Sequence, residues 1–322
     1  MTDMFVWKKL GKVFDPRDFP GRPWMENFAQ APATLIRDDH VRVYFSTRPM
    51  GDALGQFKSY TSWLDLDRAD LTKVIRVADN PVLSLGETGT FDEFGTYPFS
   101  VLETEQGILG FYGGWTRCES VPFDVAIGAA LSIDGGATFE KLGPGPIIGR
   151  SPDEPFVMSG PKIRRFNDKY YLFYIAGTKW VIDGGRPEPI YRIRMAYSDD
   201  GVNWYKHHLH LIDTVVEVDE AQASPDVHYH NGRYHMFFCY RFSTGYRSHA
   251  RGYRIGYAHS DDLITWYRDD ARAGLLPSAA GWDSEMVSYP HVFSVDGHTY
   301  IAYLGNGVGR EGFGIARLEA RP

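Results

Sequence analysis

The sequence predicts an all-β fold built from five copies of one unit, and three observations support this. Prolines recur at intervals of 66, 63, 64 and 65 residues, at Pro32, Pro98, Pro161, Pro225 and Pro290. An aromatic-rich hairpin pattern follows each proline. The fifth unit ends one strand short, while an extra strand pattern precedes the first. Together these features predict a five-bladed β-propeller with four antiparallel strands per blade.

The first two strands of each unit form a hairpin. Proline lacks an N–H, so it is tolerated at the start of the innermost strand. Dipeptides such as Asn231-Gly232 and Asp296-Gly297 are typical of tight hairpin turns. The predicted pairs are Ala33–Arg37 with Val41–Thr47, Phe99–Glu103 with Ile108–Tyr112, Lys162–Phe166 with Tyr170–Ala176, Asp226–His230 with Tyr234–Tyr240, and Val292–Val295 with Thr299–Leu304.

A third and a fourth strand complete each unit. Third strands are expected at Ala126–Leu131, Tyr191–Tyr197 and Tyr253–His259, with fourth strands beginning at Phe139, Trp204 and Trp266. The first repeat is less regular, and Ser59–Asp65 and Leu71–Val77 are its candidates.

The two ends of the chain are expected to meet in one blade. The last unit stops after its third strand, Gly314–Leu318, and the segment Phe5–Phe14 resembles the fourth strands of other units. The N-terminal strand is therefore predicted to complete the fifth blade, which closes the ring without a long open edge. The prediction is a single domain over residues 1–322.

Composition limits the possible partners. A net charge of −7 argues against nucleic-acid binding, which needs a basic face. No apolar run has the length of a signal peptide or a membrane span. Cys118 and Cys239 form no framework, and both are expected to be buried free thiols. We therefore expect a cytoplasmic protein without a membrane partner, and its oligomeric state stays open.

No cofactor is predicted. A calcium ion in the central channel is an open alternative that no motif supports. His228, His230 and His291 lie on predicted channel strands, but no ligand spacing singles them out. Hydrogen-bonded channel histidines are the better interpretation.

Polar residues should converge at one mouth of the channel. The residues before each proline and those ending each second strand reach the same face. The carboxylates there are Glu26, Asp92, Glu93, Asp153, Glu154, Asp219, Glu220, Asp283 and Glu285. Either these groups bind a ligand, as concave propeller mouths often do, or they pair with nearby bases and rigidify the loops.

Two carboxylates flanking a bond are the requirement for glycoside hydrolysis. Glu93, Glu220 and Glu285 each stand five residues before a blade proline. We predict Glu285 and Glu220 as the acid/base pair, with Asp92 and Glu93 as the next candidates. Aromatic, basic and amide groups would bind the substrate: Arg48, Arg117, Lys179, Arg241, Trp115, Trp180, Tyr97, Tyr289, Asp283 and Asn306.

A basic segment, Tyr240–Arg254, lies between the second and third strands of blade 4. Its arginines fit a carboxylate or phosphate on the ligand. A solvated loop that neutralises the acidic mouth explains the segment equally well.

The repeats resemble the five-bladed propeller glycoside hydrolases, the grouping around families 32, 43, 68, 117 and 130. The resemblance rests on strand–Asn-Gly–strand pairs such as Asn231–Phe238 and on the turn Ser198–Trp204, and it covers all five repeats. Family 43 places acids directly at three blade prolines, where this chain has Ala31, Tyr97 and Ser159-Gly160. The acids have moved into the preceding loops.

The resemblance implies a saccharide ligand, and the acids imply two-carboxylate hydrolysis of that saccharide. The basic segment leaves open whether the saccharide is anionic. The alternative is a carbohydrate-binding or glycan-biosynthesis protein of the same fold, because propellers host many functions.

Overall fold

A computed structural model describes residues 4–53 and 55–322, and these residues form five four-stranded antiparallel sheets. Each blade is given from its innermost to its outermost strand. Blade 1 consists of β2 (Asn27–Ile36), β3 (His40–Arg48), β4 (Tyr60–Asp67) and β5 (Val74–Val77). Blade 2 consists of β6 (Gly95–Thr104), β7 (Gly107–Arg117), β8 (Phe123–Ser132) and β9 (Glu140–Lys141). Blade 3 consists of β10 (Met158–Phe166), β11 (Lys169–Asp183), β12 (Arg186–Ser198) and β13 (Tyr205–Lys206). Blade 4 consists of β14 (Ala221–His230), β15 (Arg233–Arg241), β16 (Arg254–Ser260) and β17 (Tyr267–Arg268). Blade 5 consists of β18 (Ser288–Val295), β19 (His298–Leu304), β20 (Phe313–Ala320) and β1 (Val6–Phe14).

The predicted five-bladed propeller is confirmed, including the closing strand. β1 pairs antiparallel with β20, from Val6 opposite Ala320 to Phe14 opposite Phe313. The first and last strands of the chain thus share one sheet, which shuts the ring.

The hairpin turns have the backbone that their residues predict. Asn231 and Gly232 have φ values of 49° and 78°, and Asp296 and Gly297 have 49° and 79°. Two consecutive positive φ angles are the mark of a type I′ turn, whose twist matches that of paired strands. Among the described residues, helix is limited to the short turns Pro16–Asp18, Asp270–Arg272 and Asn306–Gly309. No helix described in these ranges is long and apolar enough to cross a membrane.

The hydrophobic core is divided into five layers, one between each pair of neighbouring blades. Phe111 and Tyr174 belong to the layer between blades 2 and 3, for example, and Phe14 and Phe45 to the layer between blades 5 and 1. Each sheet therefore buries both faces, and each blade depends on its neighbours for stability.

The two cysteines are both free, as predicted, but they differ in burial. Cys239 is buried in β15, whereas Cys118 is exposed. The prediction of a buried Cys118 was wrong, because this residue follows the end of β7, where the chain leaves the sheet for the surface.

Candidate functional site

The mouth is the face of the propeller on which the innermost strands begin. The long loops that enter those strands cover it, together with the loops between the second and third strands of the blades. Because antiparallel strands alternate in direction, the start of each first strand and the end of each second strand meet there. The convergence that the repeats predict is therefore present.

Two tyrosines lie at the floor of the mouth. Tyr97 and Tyr289 directly precede Pro98 and Pro290, and both are partly buried. Tyr289 hydrogen bonds to Tyr97, but burial dominates and raises the pKa of Tyr97 to about 12. Burial also raises the pKa of Tyr289 well above its ordinary value. Both phenols are thus neutral hydrogen-bonding groups at physiological pH.

Arg48 ends β3 beside these tyrosines. Its guanidinium carbon lies 4.6 Å from the ring centroid of Phe28 and 5.8 Å from that of Phe57. Nη2 donates to Oε1 of Gln30 at 3.3 Å, whereas Nε is buried without a hydrogen-bond partner among residues 4–53 and 55–322. No carboxylate of those residues forms a salt bridge with Arg48. The guanidinium therefore retains donors that a ligand can use.

Burial makes the surroundings of Arg48 unfavourable for a cation. It lowers the pKa of the guanidinium; Tyr97 and Tyr289 oppose this shift, and the positive charge of Arg186 adds to it. Arg186 begins β12 at the end of the long β11–β12 hairpin, which projects from blade 3. Two cations thus approach each other at the mouth.

Gln30 is a mouth residue that the sequence analysis missed. Its Nε2 donates to the carbonyl of Val308 at 2.6 Å, while its Oε1 accepts from Arg48. It therefore fixes the glycine-rich loop after β19 against the arginine. The available signal was a polar residue two positions before the blade proline, which recurs in other repeats as Thr96, Ser159 and Ser288.

Four of the nine predicted mouth acids lie in a repeated arrangement that we call the acid–base clamp. In each of blades 2 to 5, a buried loop acid contacts a base of the outermost strand, and in three of them it also accepts from a tyrosine of the second strand. In blade 2, Tyr112 donates to Asp92 at 2.9 Å and Nζ of Lys141 lies 2.5 Å from the same carboxylate. The other clamps are Glu154 with Tyr174 and Lys206, Asp283 with Tyr303 and Lys9, and Glu220 with Arg268.

The clamps place the predicted acids in different surroundings. Asp92 and Glu220 are 1% and 0% exposed, and Glu220 lies 2.6 Å from Nη1 of Arg268. Asp283, predicted to bind substrate, is equally buried, 2.6 Å from Lys9. These contacts favour the interpretation that acids pair with bases to hold the loops. A catalytic role for Asp92 or Glu220 stays a prediction.

The two remaining predicted acids are less enclosed. Glu93 is partly buried and accepts from the Gly89 N–H at 2.9 Å. Glu285 is exposed; its backbone N–H donates to Oδ1 of Asn306, and its carboxylate has no hydrogen-bond partner in the described part of the chain. The shared five-residue offset from proline therefore does not give Glu93, Glu220 and Glu285 a shared environment.

Blade 1 replaces the clamp with hydrophobic residues. Met25 occupies the position of the loop acid. It packs with Phe45 at the position of the clamp tyrosine, with Leu64 at the position of a third-strand alanine, and with Val77 at the position of the base. The next residue, Glu26, accepts from the Met50 N–H at 2.8 Å. It lines a cavity of about 510 Å³ beside the loop Pro16–Pro23.

The predicted binding residues are distributed over the mouth and its surroundings. Arg241 is 1% exposed; its guanidinium carbon lies 3.8 Å from the Tyr246 ring centroid, and its N–H groups reach the Tyr253 hydroxyl and nearby carbonyls. The side chain points into the layer between blades 3 and 4 and not to the mouth surface. A role for Arg241 in contacting substrate would therefore need a rearrangement.

Five other predicted binding residues surround the mouth. Lys179 lies 2.6 Å from Asp219, and Asn306 ties the loop before β18 to the one after β19. Arg117 donates to the Phe57 carbonyl and lies over the Phe94 ring, against which Trp115 also packs. Trp180 lies in a separate cavity on the rim.

The basic segment of blade 4 is largely neutralised within the protein. Arg247 lies 2.8 Å from Glu188 and Arg251 lies 3.2 Å from Glu217. Arg254 donates to four carbonyls, among them that of Glu285. Two of these arginines thus balance acids of neighbouring loops, which favours the neutralising interpretation for them.

A buried polar cluster fills the channel below the floor. The Thr34 N–H donates to Nε2 of His291 at 2.9 Å, so the imidazole proton resides on Nδ1, which lies 2.8 Å from Oδ2 of Asp226. Burial, followed by the charge of Lys162, lowers the pKa of His291 to about 4. Burial likewise lowers the pKa of Lys162 to about 8, although Asp226 opposes this. The cluster joins blades 1, 3, 4 and 5 at the axis.

The described residues contain no preformed metal-binding site. No group of three or more His, Cys, Asp or Glu side chains in the described part of the chain is arranged to hold a metal ion.

Similarity to known proteins agrees with the fold. No model of a known protein family matches the chain. An uncharacterized protein of Mycobacterium tuberculosis, Rv1502, is 34% identical over 317 residues, which cover 98% of this chain and 99% of that protein. A β-1,2-mannobiose phosphorylase of Thermoanaerobacter sp. is 33% identical over 119 residues, 37% of this chain and 35% of the enzyme.

The solved structures include a glycoside hydrolase with a TM-score of 0.77 and 18% identity, covering 99% of this chain and 94% of that one. At this identity the likeness concerns the fold. The chain therefore belongs to the family of the mycobacterial protein Rv1502, and it shares its fold with a solved glycoside hydrolase.

Proposed function

We propose that this protein is carbohydrate-active and that its mouth binds a saccharide together with an anionic group held by Arg48. The propeller fold it shares with glycoside hydrolases supports the saccharide, as does the stretch that resembles a mannobiose phosphorylase. The anionic group is a carboxylate or phosphate on the sugar, or free phosphate as a second substrate.

The observation that carries the proposal is the state of Arg48. A half-buried guanidinium normally has a carboxylate partner, since burial without one is costly. Arg48 instead lies between aromatic rings, with one amide acceptor and an unused buried Nε. A bound carboxylate or phosphate would accept two parallel N–H bonds from this fork and offset the nearby charge of Arg186.

Tyr97 and Tyr289 would take part as neutral donors. Because burial holds the pKa of each phenol high, they donate to ligand oxygens without adding negative charge near the anion. Their aromatic faces also suit the apolar face of a sugar ring.

If the protein is catalytic, Glu285 is the better candidate for the proton donor. Its carboxylate is exposed and unbonded, whereas Glu220 would first have to leave Arg268. Two-carboxylate hydrolysis with Glu285 and Glu220 as the pair therefore requires movement of the blade 4 clamp.

Phosphorolysis is the second candidate reaction, and the clamps favour it. Phosphate held by Arg48 would attack the anomeric carbon while one carboxylic acid protonates the leaving oxygen. The glycosidic C–O bond breaks and a sugar 1-phosphate forms. This route needs one free acid and one anion site, which suits a mouth in which six of the nine predicted acids are paired with bases.

A thermal-shift panel tests the proposal. Neutral sugars, uronic acids, sugar phosphates and inorganic phosphate would be compared on the wild type, on Arg48→Met and on Arg165→Met, a matched arginine on the opposite face. We expect anionic ligands to stabilise the wild type and the control but not Arg48→Met. Equal stabilisation of all three proteins would refute the role of Arg48.

Product analysis separates the reactions. Incubation of bound oligosaccharides with and without phosphate, for the wild type and Glu285→Gln, distinguishes hydrolysis, phosphorolysis and simple binding. Binding without turnover, unchanged in Glu285→Gln, would establish the alternative of a carbohydrate-binding protein.

A further inference from the structure

A second cavity lies on the mouth face between blades 2 and 3, outside the site described above. Its volume is about 230 Å³. Phe123, Phe156 and Trp180 form its apolar walls, and Asp124 and Arg150 supply its polar groups. Aromatic faces combined with a few convergent polar groups are typical of small-ligand sites.

The walls of this cavity are held by strands. Phe123 and Asp124 begin β8, opposite Arg117 and Thr116 of β7. Trp180 lies in the part of β11 that extends beyond the sheet, opposite Pro189 of β12. The rings of Phe123 and Trp180 meet edge to face, with centroids 5.6 Å apart. The aromatic surface is therefore preformed.

Asp124 points to the kind of ligand that fits. Its Oδ2 lies 2.7 Å from Nη2 of Arg150, while its Oδ1 is buried and has no hydrogen-bond partner among residues 4–53 and 55–322. A buried carboxylate oxygen without a donor is costly, and a ligand hydroxyl would supply one. Arg150 is largely exposed and can donate to a second hydroxyl. A neutral polyol with an apolar face satisfies both groups, whereas a second anion would be repelled by Asp124.

The cavity lies within reach of the mouth floor. Gly95, next to the floor, pairs with Trp115 of β7, which pairs with Val125 of β8 beside Asp124. Two strand spacings separate these positions, which amounts to about 10 Å. A di- or trisaccharide spans such a distance.

We propose that this cavity is a subsite for a neutral sugar unit of an oligosaccharide whose anionic group lies at Arg48. Trp180 and Phe123 stack on the ring, and Asp124 accepts from a ring hydroxyl. The inference rests on the proposed function and narrows its substrate class from saccharides in general to oligosaccharides.

The exposed Cys118 provides a direct probe of occupancy. The charges of both Asp124 and Arg150 act on this thiol, so it lies near the cavity, while Cys239 is buried. Alkylation by N-ethylmaleimide would be timed with mannose and xylose series, from monosaccharide to pentasaccharide, in which one terminal unit carries a carboxylate or phosphate and all other units are neutral. At a ligand concentration ten times Kd, occupancy should slow alkylation about tenfold.

The variants separate the subsite from the mouth. We expect affinity to rise with chain length in the wild type, and this rise to disappear in Trp180→Ala and in Asp124→Asn while monosaccharide binding persists. Tyr205→Ala, which removes an exposed aromatic from an outer strand, serves as the matched control. Melting temperatures of all variants verify that they fold.

Each outcome has a distinct meaning. An unchanged length profile in both variants, or no protection of Cys118 by any oligosaccharide, overturns the subsite and leaves the Arg48 site standing. Oligosaccharide binding that depends on Trp180 but not on Arg48 supports the subsite and overturns the proposed anion site. If no saccharide in the series binds the wild type, both proposals fail.

Discussion

At the scale of single residues, the site depends on polar groups that burial leaves without partners. Arg48 and Asp124 each retain a buried polar atom with no partner in the described ranges, and both lie on the mouth face. His228 has the same property on the lower part of β14, where its ring stacks on His235 with centroids 5.3 Å apart. Asp124 lines a cavity and Arg48 ends a strand at the mouth, whereas His228 is packed among aromatic rings.

His228 therefore tests how much a buried polar side chain that contacts no ligand destabilises the folded protein. Burial, followed by the charge of His235, lowers the pKa of His228 to about 3. Between pH 6.5 and about 3 the unfolded state binds the extra proton, so stability falls as pH is lowered through this window. We expect His228→Phe to raise stability at pH 7 by about 1 kcal/mol, since two unsatisfied nitrogens are removed. It should also flatten the acid side of the profile.

Denaturant titration from pH 7 to pH 4 measures this effect. His298→Phe, at an exposed position on β19, is the control and should change little. A loss of stability in His228→Phe comparable to that of a core deletion would contradict the interpretation.

At the scale of elements, the clamp explains why carboxylates recur before the blade prolines. The loop from the outermost strand of one blade to the innermost strand of the next must cross the top of the sheet. An acid buried against a base of the outer strand fixes that crossing. Blade 1 shows that a hydrophobic set, Met25 with Phe45, Leu64 and Val77, fills the same place.

Because the acid–base clamp and the hydrophobic set of blade 1 fill the same place, we expect that one can be replaced by the other. Asp92→Ala should destabilise the protein by about 3 kcal/mol, because Lys141 would be left buried without its acid. The quadruple change Asp92→Met, Tyr112→Phe, Lys141→Val and Ala130→Leu copies blade 1 and should recover most of that loss. Buried ion pairs can be replaced by packed apolar residues at little cost.

Equilibrium unfolding of both variants is the measurement. If the quadruple variant is less stable than Asp92→Ala, the clamp and the hydrophobic set are not equivalent. Saccharide turnover by the quadruple variant additionally tests whether Asp92 has the catalytic role that the sequence suggested.

The clamp also marks the limit of what the sequence could predict. The proline spacing and Asn-Gly turns specify the repeat, because turn chemistry and strand patterning act locally. The clamp acids stand six, seven, five and seven residues before their prolines, at Asp92, Glu154, Glu220 and Asp283. Because the entry loops differ in length, a fixed distance of five residues from the proline selected Glu93 and Glu285 as equivalents of Glu220. The residues equivalent to Glu220 in blades 2 and 5 are Asp92 and Asp283, and they are identified by contacts with bases distant in sequence.

Side-chain direction near strand ends was equally hard to predict. Arg48 and Arg241 both end second strands, yet Arg48 faces the mouth and Arg241 faces the layer between blades. Bulges near the start of each first strand shift the pairing, and a shift of one residue turns a side chain to the other face.

At the scale of the whole molecule, ring closure by the first strand joins the two chain ends. Phe5 is 2% exposed and contacts Phe237 and Tyr257 of blade 4, so the N-terminal segment also belongs to the layer between blades 4 and 5. Because β1 runs antiparallel to β20, the end of β20 at Ala320 lies opposite Val6.

A circular permutant tests this closure. Residues 4–14, moved to the C-terminus through a short hairpin loop after Ala320, should restore the same sheet. We expect the permutant to unfold within a few degrees of the wild type, whereas deletion of residues 4–14 without reattachment should abolish cooperative unfolding. A deletion variant with a normal melting transition would show that closure by β1 is dispensable.

An anion held by Arg48 at the mouth gives anionic sugars a higher affinity than their neutral counterparts. Isothermal titration would compare an anionic sugar with its neutral counterpart, galacturonic acid with galactose, on the wild type, Arg48→Lys and Arg48→Met. We predict a preference of about tenfold or more for the anionic sugar, about 1.4 kcal/mol, that is reduced in Arg48→Lys and absent in Arg48→Met. Equal affinity for the two sugars in the wild type, or a preference that survives in Arg48→Met, would contradict it.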